Sequence, residues 1–83
     1  MEARIGFVGI LLEHRDSVPE VNRILSDHAD RILARVGLPC RDRRVSVITL
    51  VVEATTDQLG DLTGRLGQVA GVSVKSALSK ERA

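Results

Sequence analysis

One stretch of the sequence limits the folds that this chain can adopt. Residues 44–54 read RVSVITLVVEA, and between its ends nearly every residue is β-branched or leucine. A strand with one face in water alternates apolar and polar residues, but this stretch is apolar on both faces. In a chain of only 83 residues, such a strand belongs in the middle of a sheet. Both of its faces then need a covering layer.

The small size makes assembly an expected source of stability. At this length only about 60–65% of the unfolded chain's surface is buried on folding, so small domains usually add disulfides, a metal or oligomerisation. Cys40 is the only cysteine, which excludes a disulfide within the chain. A lone thiol without a signal-peptide pattern is typical of the cytoplasm. No apolar run approaches the roughly 20 residues that span a bilayer. We therefore expect one cytoplasmic domain over residues 1–83.

Hydrophobic periodicity predicts two strand–helix–strand units in tandem. A helix is expected from about Val18 to Ala34, because Val21, Leu25 and Ile32 recur at helical spacing. The interrupted stretch that follows is expected to be a short or bulged strand. The predicted order is strand (5–12), helix (18–34), strand (34–40), strand (44–54), helix (from 55–57 to 71) and strand (72–79).

Local signals support these helix ends. Ser17 is a candidate N-cap with Glu20 at the capping-box position, and residues 55–57 (TTD) offer caps for the second helix. Gly71 is placed where a helix-ending glycine belongs. Gly60 and Gly64, with Gly67, recur along one side of the second helix. Each costs roughly 1 kcal/mol relative to alanine, so we expect close packing on a strand or subunit to offset them.

The order βαββαβ predicts an α+β, ferredoxin-like fold. Its antiparallel sheet has the strand order 4-1-3-2, with two helices on one face. The two most apolar strands, 1 and 3, would be central. Gly37 and Pro39 suit an edge strand 2, and Ser73 and Lys75 suit an edge strand 4.

The other face of this sheet would be bare. Right-handed crossovers place both helices on the same side, and either face of strands 1 and 3 is apolar. A soluble monomer rarely leaves such a patch in water. We expect a second copy to cover it, in a homodimer or homotetramer. The interface is assigned to Val8, Ile10, Ile48, Leu50 and Val52.

Four stretches of the sequence resemble one known family. RVGLPCRDRRVSVITLVVEA joins strands 2 and 3, and TTDQLGDLTGRLGQVAGVSVKSAL covers the second helix and last strand. RIGFVGILLEHR and EVNRILSDHADRILARVG fit the first half of the same family. Nearly the whole chain resembles the regulator family of the iron-only hydrogenase system. That family is similar to ACT-type regulatory domains and to the C-terminal domain of the nickel-responsive repressor.

The resemblance implies a small cytoplasmic regulator. It would be an ACT-like homo-oligomer that binds a small effector or a partner protein, with a link to iron-only hydrogenase expression. The repressor is similar only in its sensing half, and these 83 residues contain no ribbon-helix-helix segment. We therefore expect control of transcription, if any, to act through a partner rather than by direct DNA binding. One alternative is a structural or scaffold module that senses nothing, and a further one is a small acylphosphatase-like enzyme.

The connection after strand 1 holds the candidate ligand-binding residues Glu13, His14, Arg15 and Asp16. In ACT-like domains this connection often lines a small-ligand site between subunits. Polar groups beside a helix N-terminus can hold a carboxylate or phosphate. An ordinary solvated loop is the competing interpretation.

Other constellations favour neither a metal, an enzyme nor a nucleic-acid partner. His14, His28 and Cys40 are too widely spaced for a local metal motif, and His28 fits a packed, hydrogen-bonded histidine. We therefore expect no metal and no cofactor.

We also expect no enzyme. Acylphosphatases share this topology but use an asparagine on a central strand, whereas Asn22, the only asparagine, lies on helix 1. The basic turn over residues 41–44 could contact phosphates, but a solvated hairpin is favoured. The RNA-binding version of this fold needs aromatics on its central strands, and Phe7 stands alone.

Overall fold

The computed structural model describes residues 2–40 and 44–80, without the side chain of Cys40. Its elements follow the predicted order. They are β1 (Arg4–Leu12), α1 (Val18–Asp27), β2 (Ile32–Cys40), β3 (Val45–Ala54), α2 (Thr56–Gly67) and β4 (Val72–Leu78), with 3-10 turns at Arg15–Ser17 and Ala29–Arg31. The four strands form one antiparallel sheet in the order β2-β3-β1-β4. The ferredoxin-like α+β fold and its strand order are thereby confirmed.

The two faces of the sheet have opposite environments. On β1 and β3 the residues of one parity face the helices and are buried, and those of the other parity face outward. The core joins this inner face to the apolar sides of α1 and α2. It comprises Val8, Ile10, Leu12, Val21, Ile24, Leu25, Ile48, Leu50, Val52, Leu62, Leu66 and Val69.

The residues assigned to a subunit interface lie in this core. Val8, Ile10, Leu50 and Val52 are fully buried, and Ile48 is nearly so, in a single copy of the chain. The prediction therefore chose the wrong face of the sheet for these five side chains. Periodicity could not separate the two faces, because both are apolar along β3. The side of the sheet on which the helices pack decides which face is inside.

The first helix is shorter than its apolar spacing predicted. α1 ends at Asp27, a 3-10 turn follows, and β2 already begins at Ile32. Ile32 packs against the core as predicted, but from a strand that pairs with Val52 rather than from a helix. The sequence predicts a short or bulged strand over residues 34–40, but β2 has nine residues and an unbroken register with β3 over that range, and its one shift lies earlier, between Ile32 and Ala34.

The two helices begin differently. At α2 the Thr55 hydroxyl accepts a hydrogen bond from the Gln58 N–H at 3.2 Å, and the Gln58 side chain accepts from the Thr55 N–H at 2.9 Å. This capping box confirms the predicted start of α2. Ser17 does precede α1, but its side chain makes no cap. Its hydroxyl donates instead to the carbonyl oxygen of Ala70 at 2.7 Å.

A glycine allows β1 and β4 to approach each other closely, whereas the three glycines of α2 do not pack on another element. A Cβ at Gly6 would collide with the Ala77 carbonyl oxygen and with Leu78, so β1 and β4 lie too close there for any side chain. Positions 60, 64 and 67 on α2 face open space, with nothing within 4 Å of an added Cβ. The predicted close packing of these three glycines is therefore wrong within one chain.

Candidate functional site

The predicted ligand-binding connection is joined to the turn that precedes β4. The Glu13 N–H donates to the carbonyl oxygen of Gly71 at 2.8 Å, and the Ser17 hydroxyl donates to that of Ala70 at 2.7 Å. Within the connection, the Ser17 N–H donates to the His14 carbonyl oxygen at 3.1 Å. Two ordered backbone segments therefore meet beyond the neighbouring ends of β1 and β4.

His14 packs directly on Gly71. A Cβ at Gly71 would lie 2.7 Å from Cγ and 2.9 Å from Nδ1 of the His14 ring. Gly71 also has a φ of +74°, a region that side chains other than glycine's rarely adopt. The turn therefore needs glycine for two reasons, its backbone conformation and the imidazole above it. The expected helix-ending role is wrong, because α2 already ends at Gly67.

The side chains of the connection remain available to a ligand. Glu13, His14, Arg15 and Asp16 are all exposed. Among the described residues, none of their charged groups forms an ion pair. The connection therefore presents both signs of charge and an imidazole on a backbone that is held in place. The four predicted residues are consecutive in the chain, and two of them contact the turn before β4: Glu13 through its backbone N–H and His14 through its ring.

His28 joins the two helices at the other end of α1. Its Nδ1 lies 2.8 Å from the Ile24 carbonyl oxygen, and its Nε2 lies 2.9 Å from Oδ2 of Asp61 on α2. Both partners are hydrogen-bond acceptors, and the two contacts hold the ring between α1 and α2. The predicted packed, hydrogen-bonded histidine is confirmed, since the side chain is only 9% exposed.

A polar cleft of about 370 Å³ opens beside this histidine. It is lined by carboxylates and arginines from the C-terminal end of α1, from the 3-10 turn that follows and from α2. The Arg65 guanidinium donates to Asp27 at 2.9 Å and holds the pKa of that carboxyl below its ordinary value of 3.8. In the described part of the chain, no three histidine, cysteine, aspartate or glutamate side chains are grouped as a metal site requires.

A second cleft separates α1 from the edge strand β2. It has a volume of about 260 Å³ and an apolar lining that includes Val18, Val21 and Leu38. Arg35 lies in the same cleft and donates to Oδ1 of Asn22 at 2.9 Å. The sequence did not reveal this cleft, because it depends on how α1 packs beside β2.

The outer face of the sheet is an exposed apolar surface. It carries Ile5, Phe7 and Leu11 on β1 and Val51 on β3, all exposed. The edge strand β2 adds large apolar side chains, the most exposed being Val36 at 66%. An uncovered apolar face was predicted, and it consists of the residues opposite in parity to those chosen.

The basic turn lies largely outside the described residues. Arg41, Asp42 and Arg43 of the basic turn fall outside the described residues, and Arg44 beside them is exposed. Within the ranges that are described, no helix is long and apolar enough to cross a bilayer.

The chain matches one family model over most of its length. The family model described as "TM1266-like: Iron-only hydrogenase system regulator, putative" matches residues 4–76. The solved structure of uncharacterized protein TM1266 from Thermotoga maritima is similar, with a TM-score of 0.91 and 35% sequence identity. The match covers 95% of this chain and 100% of that one. A comparison with functionally curated proteins gave no match.

More distant structures share the fold alone. The ACT domain from GTP pyrophosphokinase of Chlorobium tepidum aligns with a TM-score of 0.77 at 20% identity, over 90% of this chain and 99% of that one. The C-terminal domain of the MgtC protein from Mycobacterium tuberculosis aligns with a TM-score of 0.73 at 13% identity, over 99% and 94%. With its ACT-like fold and a family match over residues 4–76, the chain belongs to the TM1266-like family of iron-only hydrogenase system regulators.

Proposed function

We propose that the chain is a regulatory homo-oligomer whose subunit arrangement responds to a small polar effector bound at Glu13–Asp16. One observation carries this proposal, the junction between the β1–α1 connection and the turn before β4. An effector held by the exposed charges would contact a backbone hydrogen-bonded to residues 70 and 71. A displacement there would reach the ends of β1 and β4, which form half of the outer sheet face.

The mechanism is a shift in population between assembly geometries. A ligand changes such an equilibrium only as far as it binds one state better than the other. Residues 13–16 follow directly after β1, one of the strands of the outer face. A change in an interface on that face would therefore change the position of these residues, and the effector would bind one assembly state better than the other. The family's description supports the regulatory role, with iron-only hydrogenase expression as the regulated process.

Thermal unfolding against a panel of amino acids, nucleotides and divalent metals tests the effector. A ligand at 100 times its dissociation constant adds about 2.7 kcal/mol of stability. For a domain of this size the midpoint should rise by about 10 °C or more. Arg15→Gln should abolish the rise and leave the oligomer intact, and Arg23→Gln on the exposed side of α1 is the matched control.

His14 needs a separate variant, because its ring packs on Gly71. His14→Gln should lower the response and retain the fold, as judged by the unliganded midpoint. A full response in both Arg15→Gln and His14→Gln would exclude the connection as the effector site.

A scaffold without an effector is the second candidate, and the uncovered outer face favours it as much as it favours a sensor. A panel without any shift would support the scaffold. In that case a deletion strain should still show altered hydrogenase expression, because the partner protein would lose the scaffold that it binds. Turnover of acyl phosphates by the purified protein would contradict both candidates.

A further inference from the structure

The outer sheet face carries only two charged side chains within the described strands, Glu53 on β3 and Lys75 on β4. The strand registers locate both relative to Phe7. Glu53 on β3 pairs with Ile5 of β1, which precedes Phe7 by two residues. Lys75 on β4, the strand on the other side of β1, pairs with Gly9, which follows Phe7 by two residues. Phe7 therefore lies at the midpoint of a diagonal with opposite charges at its ends.

This arrangement is self-complementary. A two-fold axis parallel to the sheet and perpendicular to the diagonal would exchange its two ends. If it passes over Phe7, Glu53 of each copy lies over Lys75 of the other, and the two Phe7 rings meet. Sheet twist does not remove the symmetry, because it acts similarly on both sides of β1. With ordinary strand spacings the strands of the two sheets would cross at roughly 70°, close to the orthogonal class of sheet packing.

The exposure of these side chains also supports a second copy of the chain as the partner on this face. Phe7 is the only aromatic residue in the chain, and 51% of it faces solvent in a single copy. Glu53 and Lys75 form no ion pair with any other described residue. Around the diagonal the face is apolar, with Ile5 and Val51 exposed as well. A partner must therefore offer an apolar centre flanked by one positive and one negative group, and a second copy of this face does so.

We infer that a second copy of the chain stacks on the outer sheet face about a two-fold axis through Phe7, with two symmetric Glu53–Lys75 ion pairs. This inference rests on the proposed homo-oligomer and specifies its interface. Two charge reversals test it by sedimentation velocity over a concentration series. Glu53→Lys makes both ends of the diagonal positive, and Lys75→Glu makes both negative. Each variant alone should dissociate to a smaller species, with affinity weakened roughly tenfold or more.

Mixing the two single variants is the decisive measurement. In the mixed pair every contact is again between opposite charges, so an assembly of the original size should form that neither variant forms alone. Glu20→Lys and Arg23→Glu on α1 reverse the same charges away from the sheet. Separately and mixed, these controls should sediment like the original protein.

A cysteine on a two-fold axis gives a second, independent test. In a Cys40→Ser background, Phe7→Cys should form a covalent dimer on oxidation, seen by non-reducing electrophoresis. Ser73→Cys in the same background is the control, because Ser73 lies on the same face opposite Leu11 and far from the axis. If the smaller side chain itself weakens association, the paired substitution Glu53→Cys and Lys75→Cys should cross-link between chains instead.

The outcomes separate this inference from the proposed function. An original protein that stays monomeric at every concentration would overturn both the homo-oligomer and the stacked face. An oligomer that neither charge reversal disturbs, and in which no cysteine cross-links, would overturn the stacked face alone. Assembly would then use another surface, such as the edge strand β2. Dissociation of both single variants without recovery on mixing would overturn the assigned register.

Discussion

The inner and outer faces of the sheet have similar aliphatic residues but differ in burial. Leu50 and Val52 face the helices and are fully buried, whereas Val51 between them faces outward and is exposed. Aliphatic composition alone therefore does not distinguish a core from a candidate interface. The difference comes from the chain topology, which places both helices on one side. The inner face stabilises the fold of each copy, and the outer face is available for a partner.

The largest effect expected is from truncating matched leucines on the two faces. Leu50→Ala removes a fully buried side chain and should lower the free energy of unfolding by about 2–5 kcal/mol, at every protein concentration. Leu11→Ala, at a leucine on the outer face that is 45% exposed, should lower the stability of the single chain by no more than about 1 kcal/mol. Urea unfolding at several concentrations measures both. Equal losses would show that the two faces are not distinct in energy.

A second test uses two glycines of the same strand. Gly6→Ala should destabilise the chain by about 1–3 kcal/mol, because its Cβ meets the backbone of β4 and the β1–β4 pairing must shift. Gly9→Ala is the matched control on the outer face, where the nearest atom would be at an ordinary 3.8 Å. Its unfolding midpoint should stay close to that of the original protein. A larger loss at Gly9 would mean that the outer face is already tightly packed.

The outer surface of α2 provides a third comparison. Gly64→Ala replaces an exposed helical glycine that has open space around it, so it should stabilise the single chain by about 1 kcal/mol. Calorimetry gives the midpoint, and sedimentation gives the oligomeric state. A stabilised chain with unchanged assembly would confine the interface to the sheet. If Gly64→Ala instead weakened assembly, a subunit would pack on these glycines as well.

The fold could be predicted from the sequence further than the site could. The N-cap at Thr55, the edge position of Pro39 and the packed His28 all follow from local chemistry or from spacing, whereas the capping box predicted for Ser17 and Glu20 does not form. The parity of β1 and β3 could not be predicted, because both faces are apolar and only tertiary packing separates them. The end of α1 was misplaced for a related reason, since Ile32 fits the same apolar stripe in a helix or a strand.

The contacts that define the candidate site were beyond prediction for another reason. Ser17 looks like a helix cap in the sequence, but its hydroxyl bonds to Ala70, 53 residues away. The stacking of His14 on Gly71 is equally non-local. Such contacts depend on how β1 and β4 are paired, and no local pattern records them. The charged diagonal through Phe7 likewise becomes visible only once both registers are known.

The smallest effect expected concerns the exposed helix layer, and it asks whether the charges there act on folding or on assembly. The hydrogen bond from Arg65 lowers the pKa of Asp27 in the folded chain. The stabilisation from this pair should therefore be fully present above the ordinary value of 3.8 and be lost as the pH falls through the lower folded value. Arg65→Gln should remove that acid-dependent loss and otherwise cost little, because both side chains are about half exposed. Unfolding measured from pH 2 to pH 6 in both proteins gives the difference. If the variant changed the oligomer size rather than this acid limb, the helix layer would belong to the interface, and the outer sheet face would no longer be the only assembly surface to consider.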